Sequence, residues 1–383
     1  VELLTFGLYS SDKVTVSVVP EDVTSPIASV EYIKIDTTTA KTREELDNLT
    51  GWAPGNSVEI RDEAAFVVCF RITDYAGNYY YVSTDGYIVD KTIPTIEFEL
   101  GNRNSTGKDH NGVPIYTGDV DVTVKVNDIG SGINKITYLV KCNDETTKDE
   151  TVLYDFKYTM SDYGKEGVEV PTYGGLVKEL SETVTIKAAE NNGCKVELCV
   201  KVTDNAGNVI QSSQQVDIDI TAPTIDLEYD NNNVKKIDGN RGYFDKQRIA
   251  TIVITERAEH FNGDEAIAGI KVGKNGSVAD VTTLFGKLEW STTKDVSDPN
   301  NDKHTLVLPY NYDGNYTFDM SCTDLANKTN EGIQTDKSTV TPFEFTVDTT
   351  APTGTVKVGE NTWDKLVELL TFGLYSSDKV TVS

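Results

Sequence analysis

The chain has 383 residues and carries 61 acidic against 35 basic side chains, a formal net charge of −26. An acidic surface of this kind repels nucleic-acid phosphates and anionic membranes, and the sequence holds no run of 18 apolar residues that could span a bilayer. Neither an initiator Met nor a signal peptide opens it, so we expect a piece of something longer. The length predicts about two to four domains.

The first predicted elements are strands. LYSSDKVTVSV (Leu8–Val18) places an aromatic residue and a polar turn before alternating apolar residues, and IASVEYIKID (Ile27–Asp36) follows it. Alternation with a period of two indicates a strand with one buried face. TREELDNL (Thr42–Leu49) is the one helix candidate, because Thr42 and Glu45 have the spacing of a capping box.

The same succession of strands returns twice further along the chain. The first segment is matched by IYTGDVDVTVKV (Ile115–Val126) and YFDKQRIATIVI (Tyr243–Ile254). The second is matched by INKITYLVKC (Ile133–Cys142) and IAGIKVGK (Ile267–Lys274). Further strand candidates are ETVTIKAA (Glu182–Ala189) and HTLVLPY (His304–Tyr310). The chain therefore contains internal repeats.

Each repeat ends on two strands around a turn, followed by Asp-x-x-x-Pro-Thr. The endings read FRITDYAGNYYYVSTDGYIVDKTIPT, VKVTDNAGNVIQSSQQVDIDITAPT and, more loosely, MSCTDLANKTNEGIQTDKSTVTPFEFTVDTTAPT. Their prolines, Pro94, Pro223 and Pro352, lie 129 residues apart. Short strands with regular turns predict an all-β chain of tandem antiparallel sandwiches joined end to end as a rod. The predicted units are 1–91, which lacks its first strand, 92–220, 221–349, and 350–383, the start of the next copy.

The TDNAGN turn, the strand after it and the D-x-TAPT boundary, clearest in Val202–Thr224, resemble the bacterial immunoglobulin-like (Ig-like) repeat domains of large Gram-positive cell-surface proteins. The third repeat departs from that pattern, with TDLANK in place of TD-x-AGN. The resemblance implies a sandwich of about seven strands, export to the cell surface, and a stalk or adhesin role. It implies no ligand, because a fold does not define a function.

No catalytic constellation stands out. His110, His260 and His304 lie in different repeats or distant turns, and the usual nucleophile and phosphate-binding motifs are missing. TERAEHFNGDE (Thr255–Glu265) does bring several ionisable residues together, namely Glu256, Glu259, His260, Asp264 and Glu265. A metal or acid–base site needs such a set, but we interpret the segment as a solvated loop. We therefore predict that the protein is not an enzyme and has no organic cofactor.

Carboxylates at the repeat ends suggest calcium at the junctions between units. In a sandwich of this kind the last strand of one unit ends beside turns of the next. The first junction would combine Asp90, Asn127, Asp128, Asp204 and Asn208, and the second Asp219, Glu256 and Asp324. Hard oxygen ligands from two units suit Ca²⁺. The alternative is turn chemistry, in which Asp and Asn side chains bond their own backbone.

The five cysteines cannot all pair. Cys142 ends one predicted strand and Cys194 precedes its antiparallel neighbour, which makes a Cys142–Cys194 disulfide a candidate, with free thiols as the alternative. By alternation, Cys69 and Cys199 face away from the core.

We interpret the chain as the repetitive stalk or spacer of a secreted bacterial cell-surface protein or fibre, located outside the cell. Its partners would be neighbouring copies in the same polypeptide or in head-to-tail chains. One alternative is an adhesin whose units bind glycan or host protein, for which Tyr79–Tyr81 offer a stacking surface. Another is an accessory region of a large extracellular hydrolase.

The two ends of the sequence are identical. VELLTFGLYSSDKVTVS occupies residues 1–17 and returns at 367–383, 366 positions later, so the full period spans three units. Ala351–Leu366 then supplies the first strand that residue 1 lacks. We expect Val14–Val18 to pair as a core strand and its copy at Val380–Ser383 to lack partners within this chain. The alternative is that the tail completes a first unit in a neighbouring chain, which gives a head-to-tail fibre.

Overall fold

The regular secondary structure of the described residues is almost all β-strand. The computed structural model describes residues 5–38, 41–230, 232–239, 241–332, 335–336 and 344–355. Within those residues the strands form sandwiches in three successive groups, and no strand of one group pairs with a strand of another. We call these groups the first, second and third unit. In this part of the chain, no helix is long and apolar enough to cross a membrane.

The first unit lies within the predicted span 1–91. Its elements are β1 Leu8–Ser10, β2 Val14–Ser17, β3 Ile27–Ile35, α1 Arg43–Asp47, β4 Ala53–Pro54, β5 Ser57–Ile60, β6 Ala64–Asp74, β7 Tyr79–Ser83 and β8 Tyr87–Val89. One sheet runs β1-β8-β6-β3-β4, with β7 on β6, and β2 pairs with β5. The helix prediction is confirmed, because Thr42 and Glu45 form a complete capping box at α1.

The second unit has two sheets. Its strands are β9 Thr95–Leu100, β10 Ser105–Lys108, β11 Pro114–Tyr116, β12 Val120–Asn127, β13 Ile133–Cys142, β14 Glu145–Asp155, β15 Glu179–Ile186, β16 Cys194–Asp204 and β17 Val209–Ile218. Short 3₁₀ turns lie at Met160–Asp162, Tyr173–Gly175 and Ala188–Glu190. The sheets run β10-β11-β17-β16-β13-β14 and β15-β12-β9. Val120, Val122, Val124 and Val126 alternate along β12 and are all buried between them.

The third unit repeats this plan with added helices. Its elements are β18 Thr224–Tyr229, β19 Val234–Asp238, β20 Arg241–Phe244, β21 Arg248–Glu256, α2 Gly263–Ala268, β22 Ile270–Lys274, β23 Ser277–Ala279, α3 Val281–Phe285, β24 Ser291–Lys294, β25 Asp302–Tyr310, β26 Gly314–Met320, β27 Cys322–Thr323, β28 Thr329–Asn330, β29 Thr335–Asp336 and β30 Phe345–Val347. The main sheets run β24-β25-β21-β18-β29 and β19-β20-β30-β26-β22-β23.

The strand predicted at Ile267–Lys274 was wrong at its start. Ile267 and Ala268 end helix α2, and β22 begins only at Ile270. Asn262 caps the helix by accepting the backbone N–H of Glu265, and such a cap favours a helix over a strand. Short parallel pairs, such as β1 with β8 and β11 with β17, are a second departure from a purely antiparallel sandwich.

The repeated turn has one conformation in all three units. Each TD aspartate accepts the backbone N–H of the residue four positions on, at 2.8 Å; the pairs are Asp74–Asn78, Asp204–Asn208 and Asp324–Lys328. Gly77 and Gly207 follow with φ of +84° and +92°. Asn327 takes this place in the third unit with φ of +58°, because Asn tolerates the left-handed region. TDLANK thus keeps the turn of TD-x-AGN.

One disulfide is present among the described residues. It joins Cys142, at the end of β13, to Cys194, at the start of β16, with Cα atoms 5.4 Å apart. Cys69, Cys199 and Cys322 are free. Cys69 faces away from the sandwich core as predicted, yet it is buried, because Leu46 of α1 and Trp52 cover that face.

Candidate metal centres at the unit junctions

Three carboxylates from two units meet at the first junction. Asp90 follows β8 of the first unit, Asp128 follows β12 of the second, and Asp204 ends β16. One oxygen from each lies within 4.8 Å of the others, and all three residues are buried. The sequence prediction brought these residues together because each stands at a strand end, and strand ends of adjoining sandwiches face one another.

Backbone groups of the loop after β12 hold these carboxylates in place. The N–H of Ser131 donates to Asp90 Oδ2 at 2.6 Å, and the N–H of Gly132 donates to Asp128 Oδ1 at 2.8 Å. A Cβ at Gly130 would collide with the Asp90 carboxylate. The loop therefore needs glycine at position 130 to let the first unit's aspartate enter.

Among the described residues, no basic side chain forms an ion pair with the carboxylates of the first junction, although the Lys178 charge partly offsets the rise in the pKa of Asp128. In the described part of the chain, no Lys, Arg or His nitrogen lies within 4.0 Å of these three carboxylates. The ammonium group of Lys178 donates instead to the Ile129 carbonyl and to the Tyr173 hydroxyl, both at 2.9 Å. Buried charges in proteins are normally paired or bound to a metal, so these three carboxylates form a candidate cation site.

The pKa values of the aspartates in the repeated turn differ between the junction and the first unit. Burial raises the pKa of Asp204 to about 7, and the neighbouring Asp128 and Asp90 charges add to the rise. Burial likewise raises the pKa of Asp128. In the first unit, hydrogen bonds from Asn78 lower the pKa of Asp74 in the same turn. The shared turn therefore does not cause the rise in the pKa of Asp204, which comes from burial and from the charges of Asp128 in the same unit and Asp90 in the first.

The two asparagines predicted at the first junction behave differently. Asn208 Nδ2 donates to the Asp90 carbonyl at 2.9 Å and to Asp204 Oδ2 at 2.7 Å, so it bridges the two units as a donor. Asn127 is exposed, and its amide lies near Glu179 at 3.5 Å. Its inclusion in the cluster was wrong, because the last residue of β12 points to the solvent side of the sheet.

The second junction also gathers carboxylates, but together with a histidine. Ligand atoms of Asp219, Glu256 and His260 lie within 4.8 Å of one another, all buried. Asp324 is buried beside them, and its Oδ2 has no hydrogen-bond partner. Burial raises the pKa of Glu256 to about 8 and that of Asp324 to about 6, and the nearby Asp219 charge adds to both.

Arg257 and His260 supply positive charge at this second junction. Arg257 donates to both oxygens of Asp217, at 2.5 and 3.1 Å. His260 Nδ1 lies 2.6 Å from Asp219 Oδ2, and its Nε2 lies 3.0 Å from Asp217 Oδ2. Burial alone would lower the pKa of His260, but these carboxylates raise it to about 9. The imidazole is therefore a cation at neutral pH.

The interpretation of Thr255–Glu265 as a solvated loop was wrong. Glu256, Arg257 and His260 are buried between the second and third units. A signal for this lay in Asp217, which stands 129 residues after the buried Ile88 and so replaces an apolar residue. A carboxylate at such a position needs a cationic partner.

Apolar residues complete the first junction. Phe6, Tyr9 and Ile88 of the first unit form a buried cluster with Tyr158 and Leu176 of the second. The Tyr158 hydroxyl donates to the Gly7 carbonyl at 3.1 Å, within this buried cluster. The loop between β14 and β15 thus packs against the end of the first unit.

An aromatic patch lies on the first unit, away from either junction. Tyr80 is 71% exposed, whereas Tyr81 stacks on Trp52 with ring centroids 5.6 Å apart. Tyr79 packs edge-on against Tyr81, and the Arg71 guanidinium lies over the Trp52 ring. As predicted, the consecutive tyrosines leave one face of β7 exposed to solvent.

These observations define an all-β chain of Ig-like sandwiches. Residues 9–91 match the family model for a bacterial Ig-like domain, and this part of the chain is a bacterial Ig-like domain. No curated protein matches the chain.

Solved structures give weak similarities. A chain of a 1.5-MDa bacterial ice-binding adhesin has 13% identity and a TM-score of 0.28, covering 87% of this chain and 94% of that one. BcpA, the major pilin subunit of Bacillus cereus, has 11% identity and a TM-score of 0.20, covering 85% and 98%. The Bacteroides ovatus protein SGBP-B, solved with a mixed-linkage heptasaccharide, has 13% identity and a TM-score of 0.17, covering 95% and 70%.

Proposed function

We propose that the chain is a non-catalytic spacer of a bacterial surface protein, which carries another part of that protein away from the cell. The observation that supports this most is the construction of the junctions. Only five residues separate β8 from β9, and five separate β17 from β18. Side chains from both neighbours are buried at each junction. A stiff connection of this kind transmits position and force, which a flexible linker does not.

An extracellular location agrees with the chemistry of the chain. Disulfides persist in oxidising compartments and are rare in the cytosol, and the Cys142–Cys194 bridge is formed here. The bacterial Ig-like match at residues 9–91 is in keeping with export. The proposed location is therefore the outer surface of a bacterial cell.

Small-angle X-ray scattering on the whole chain tests the spacer function. A rigid array gives one elongated shape that a single conformation fits in buffer that contains calcium. Insertion of a Gly-Ser linker between Thr92 and Ile93 provides the flexible control. If the unmodified chain needs as broad an ensemble as the linker variant, the spacer proposal is wrong.

We further propose that Ca²⁺ binds at the first junction through Asp90, Asp128 and Asp204. The donors are all oxygen, which is the preference of Ca²⁺, and among the described residues none of the three buried carboxylates forms an ion pair. At the second junction the candidate set is Asp219, Glu256 and Asp324. We expect weaker binding there, because Arg257 and His260 already compensate part of the negative charge.

Calorimetric titration with Ca²⁺ after EDTA treatment checks this assignment. The expected result is heat of binding together with a rise in Tm. The same titration with Mg²⁺ serves as the comparison. Absence of both heat and stabilisation would leave the carboxylates to turn chemistry alone.

A second candidate function is direct binding of glycan by the aromatic patch of the first unit. Tyr79 is 38% exposed and shares a face of β7 with Tyr81, which stacks on Trp52, so these rings offer faces on which a sugar can pack. A glycan array probed with the wild type and with Tyr79→Ala decides this. Binding that the substitution abolishes supports the adhesin function.

A further inference from the structure

The Cys142–Cys194 disulfide lies at the end of the second unit that docks on the third. Cys142 is the last residue of β13, and Cys194 is the first residue of β16. The opposite end of β13, at Ile133, follows the loop of the first junction. The bridge therefore joins two neighbouring strands at the second junction.

The residue that follows each cysteine contacts the third unit. Asn143 Nδ2 donates to Asn300 Oδ1 at 2.9 Å. The ammonium group of Lys195 donates to Glu259 Oε1 at 3.5 Å. Asn300 and Glu259 lie in different loops of the third unit, before β25 and after β21. The two strand ends that the bridge joins thus carry two separate contacts between the units.

Lys195 also connects the bridge to the charged centre of the junction. In the ladder of β16 and β17 it lies opposite Asp217, whose carboxylate accepts from Arg257. Its side-chain partner, Glu259, belongs to the same loop as Arg257 and His260. The position of the first residues of β16 therefore affects both sides of the buried ion pair.

Asn143 and Lys195 also bond to each other. The N–H of Asn143 donates to the Lys195 carbonyl at 3.0 Å, and the N–H of Lys195 donates to Asn143 Oδ1 at 3.0 Å. Asn143 is exposed, and hydrogen bonds that water reaches at the end of a ladder open easily. The covalent bridge one residue away limits how far the two strand ends can then separate.

The first unit has no bridge at the matching positions. Asp36 and Ala64 stand there when the pairing of β3 with β6 is aligned with that of β13 with β16. The first junction has instead the apolar cluster around Phe6 and Tyr158. The bridge therefore distinguishes the second junction, and the first junction offers an internal comparison.

We propose that the Cys142–Cys194 disulfide is a redox-sensitive lock on the second junction. With the bridge intact, Asn143 and Lys195 hold two loops of the third unit in place. Reduction releases the two strand ends, so that the third unit docks less tightly while the second unit stays folded around its own core. This inference rests on the proposed spacer function, because it describes how the stiffness of one junction is regulated.

The reductant is a dithiol. Its thiolate attacks Sγ of Cys142, which is partly exposed, whereas Cys194 is buried. The attack breaks the S–S bond, forms a mixed disulfide and releases Cys194 as a thiolate, which takes up a proton. The second thiol of the reductant then displaces Cys142. The protein gains two thiols, and the dithiol, having lost two hydrogen atoms, becomes a disulfide.

Hydrogen–deuterium exchange of the full chain, with and without dithiothreitol in one calcium-containing buffer, tests the lock. Labelling for seconds to minutes reports local opening rather than global unfolding. After reduction, exchange in residues 257–261 and 298–301 should be about 5–30-fold faster, which corresponds to the loss of a few weak contacts. Exchange in residues 156–178, the loop that packs against the first unit, should not change.

Two sets of variants separate the bridge from the contacts beside it. Cys142→Ala combined with Cys194→Ala should reproduce the faster exchange without reductant, and dithiothreitol should then add nothing. Lys195→Met in the oxidised chain should also loosen residues 257–261. Lys201→Met, at an exposed position of the same strand, is the matched control and should not.

Three results would overturn the proposal. One is an intact mass showing that dithiothreitol leaves the bridge closed in the folded chain. The second is exchange in residues 257–261 that does not respond to reduction. The third is equal loosening of residues 156–178, since the bridge then stabilises the second unit as a whole. Failure of the spacer function shows differently, because the oxidised chain would then need as broad a scattering ensemble as the linker variant.

Discussion

The same residue in the same turn has a different role in successive units. Asp74 and Asp204 accept matching hydrogen bonds from the asparagine four residues on. Asp204 faces Asp90 of the neighbouring unit and Asp128 of its own, and its pKa rises, whereas that of Asp74 falls. A sequence motif can therefore encode a turn in each unit and join a buried carboxylate cluster only where a second unit docks on it.

Asp204→Asn should abolish most of the stabilisation by calcium. Binding at a hundredfold excess over Kd adds about 2.7 kcal/mol to the free energy of unfolding, and removing one of three carboxylates weakens that binding. Chemical denaturation with Ca²⁺ and with EDTA measures the difference.

Asp74→Asn is the matched control, because it makes the same change in the same turn outside the cluster. We expect it to retain the calcium-dependent gain. Equal gains in both variants would show that the three carboxylates do not bind the ion.

Arg257→Met should strongly destabilise the second junction, between the second and third units. Asp217 would stay buried with its guanidinium partner removed, and breaking a buried pair in this way costs about 3–5 kcal/mol. The loss should fall near the lower bound, since His260 Nε2 remains 3.0 Å from Asp217. Urea denaturation measures it.

Arg241→Met makes the same substitution in a pair that water screens. The Arg241 and Glu344 side chains are 28% and 51% exposed, so the expected loss is about 0–1 kcal/mol. Similar losses at both sites would mean that the Arg257–Asp217 pair contributes no more than a surface pair.

The residues of the first junction were predictable and those of the second were only partly so. Asp90, Asp128 and Asp204 each stand at the end of an alternating segment, which fixes the pole at which they lie. His260 sits in a stretch rich in charge, where nothing local indicates burial. The buried contact of His260 is with Asp217, more than 40 residues earlier in the chain. A contact between residues so far apart in sequence depends on how the two units dock.

At the scale of elements, alternation predicted most strands well. Residues 133–142 were predicted and found as one strand, β13. The short helix α2 and the parallel pairing of β1 with β8 were not predicted, because caps and edge pairing depend on neighbours that periodicity does not encode. Strand β2 shows the same limit, since its alternation is correct and its burial depends on a partner strand.

The disulfide between β13 and β16 should stabilise the second unit. Cys142 and Cys194 are 52 positions apart, and closing a loop of that length lowers the entropy of the unfolded chain by an amount worth about 4 kcal/mol. Replacing both with Ala should reduce the free energy of unfolding by up to that amount.

Cys199→Ala serves as the control, because Cys199 is a free thiol on the same strand. Intact mass with and without reductant first measures the fraction of the purified protein that carries the bridge. If the double variant unfolds at the same denaturant concentration as the control, the bridge does not constrain the unfolded chain.

At the scale of the whole molecule, two junctions of one design are held by different charges. The first combines an apolar cluster with three buried carboxylates that form no ion pair with any described residue. The second replaces Ile88 by Asp217 and brings in Arg257 and His260. The stiffness of the first junction should therefore depend on calcium in the solution, and that of the second on the chain's own charged side chains.

Removing calcium and breaking the Arg257–Asp217 pair should loosen the chain at different places. Scattering in EDTA should broaden the wild-type ensemble through the first junction alone, while Arg257→Met in calcium should broaden it through the second. The two changes together should act additively, because the junctions lie at opposite ends of the second unit and share no residue. An ensemble in EDTA as narrow as that in calcium would mean that the apolar cluster of Phe6, Tyr9, Ile88, Tyr158 and Leu176 holds the first junction without an ion.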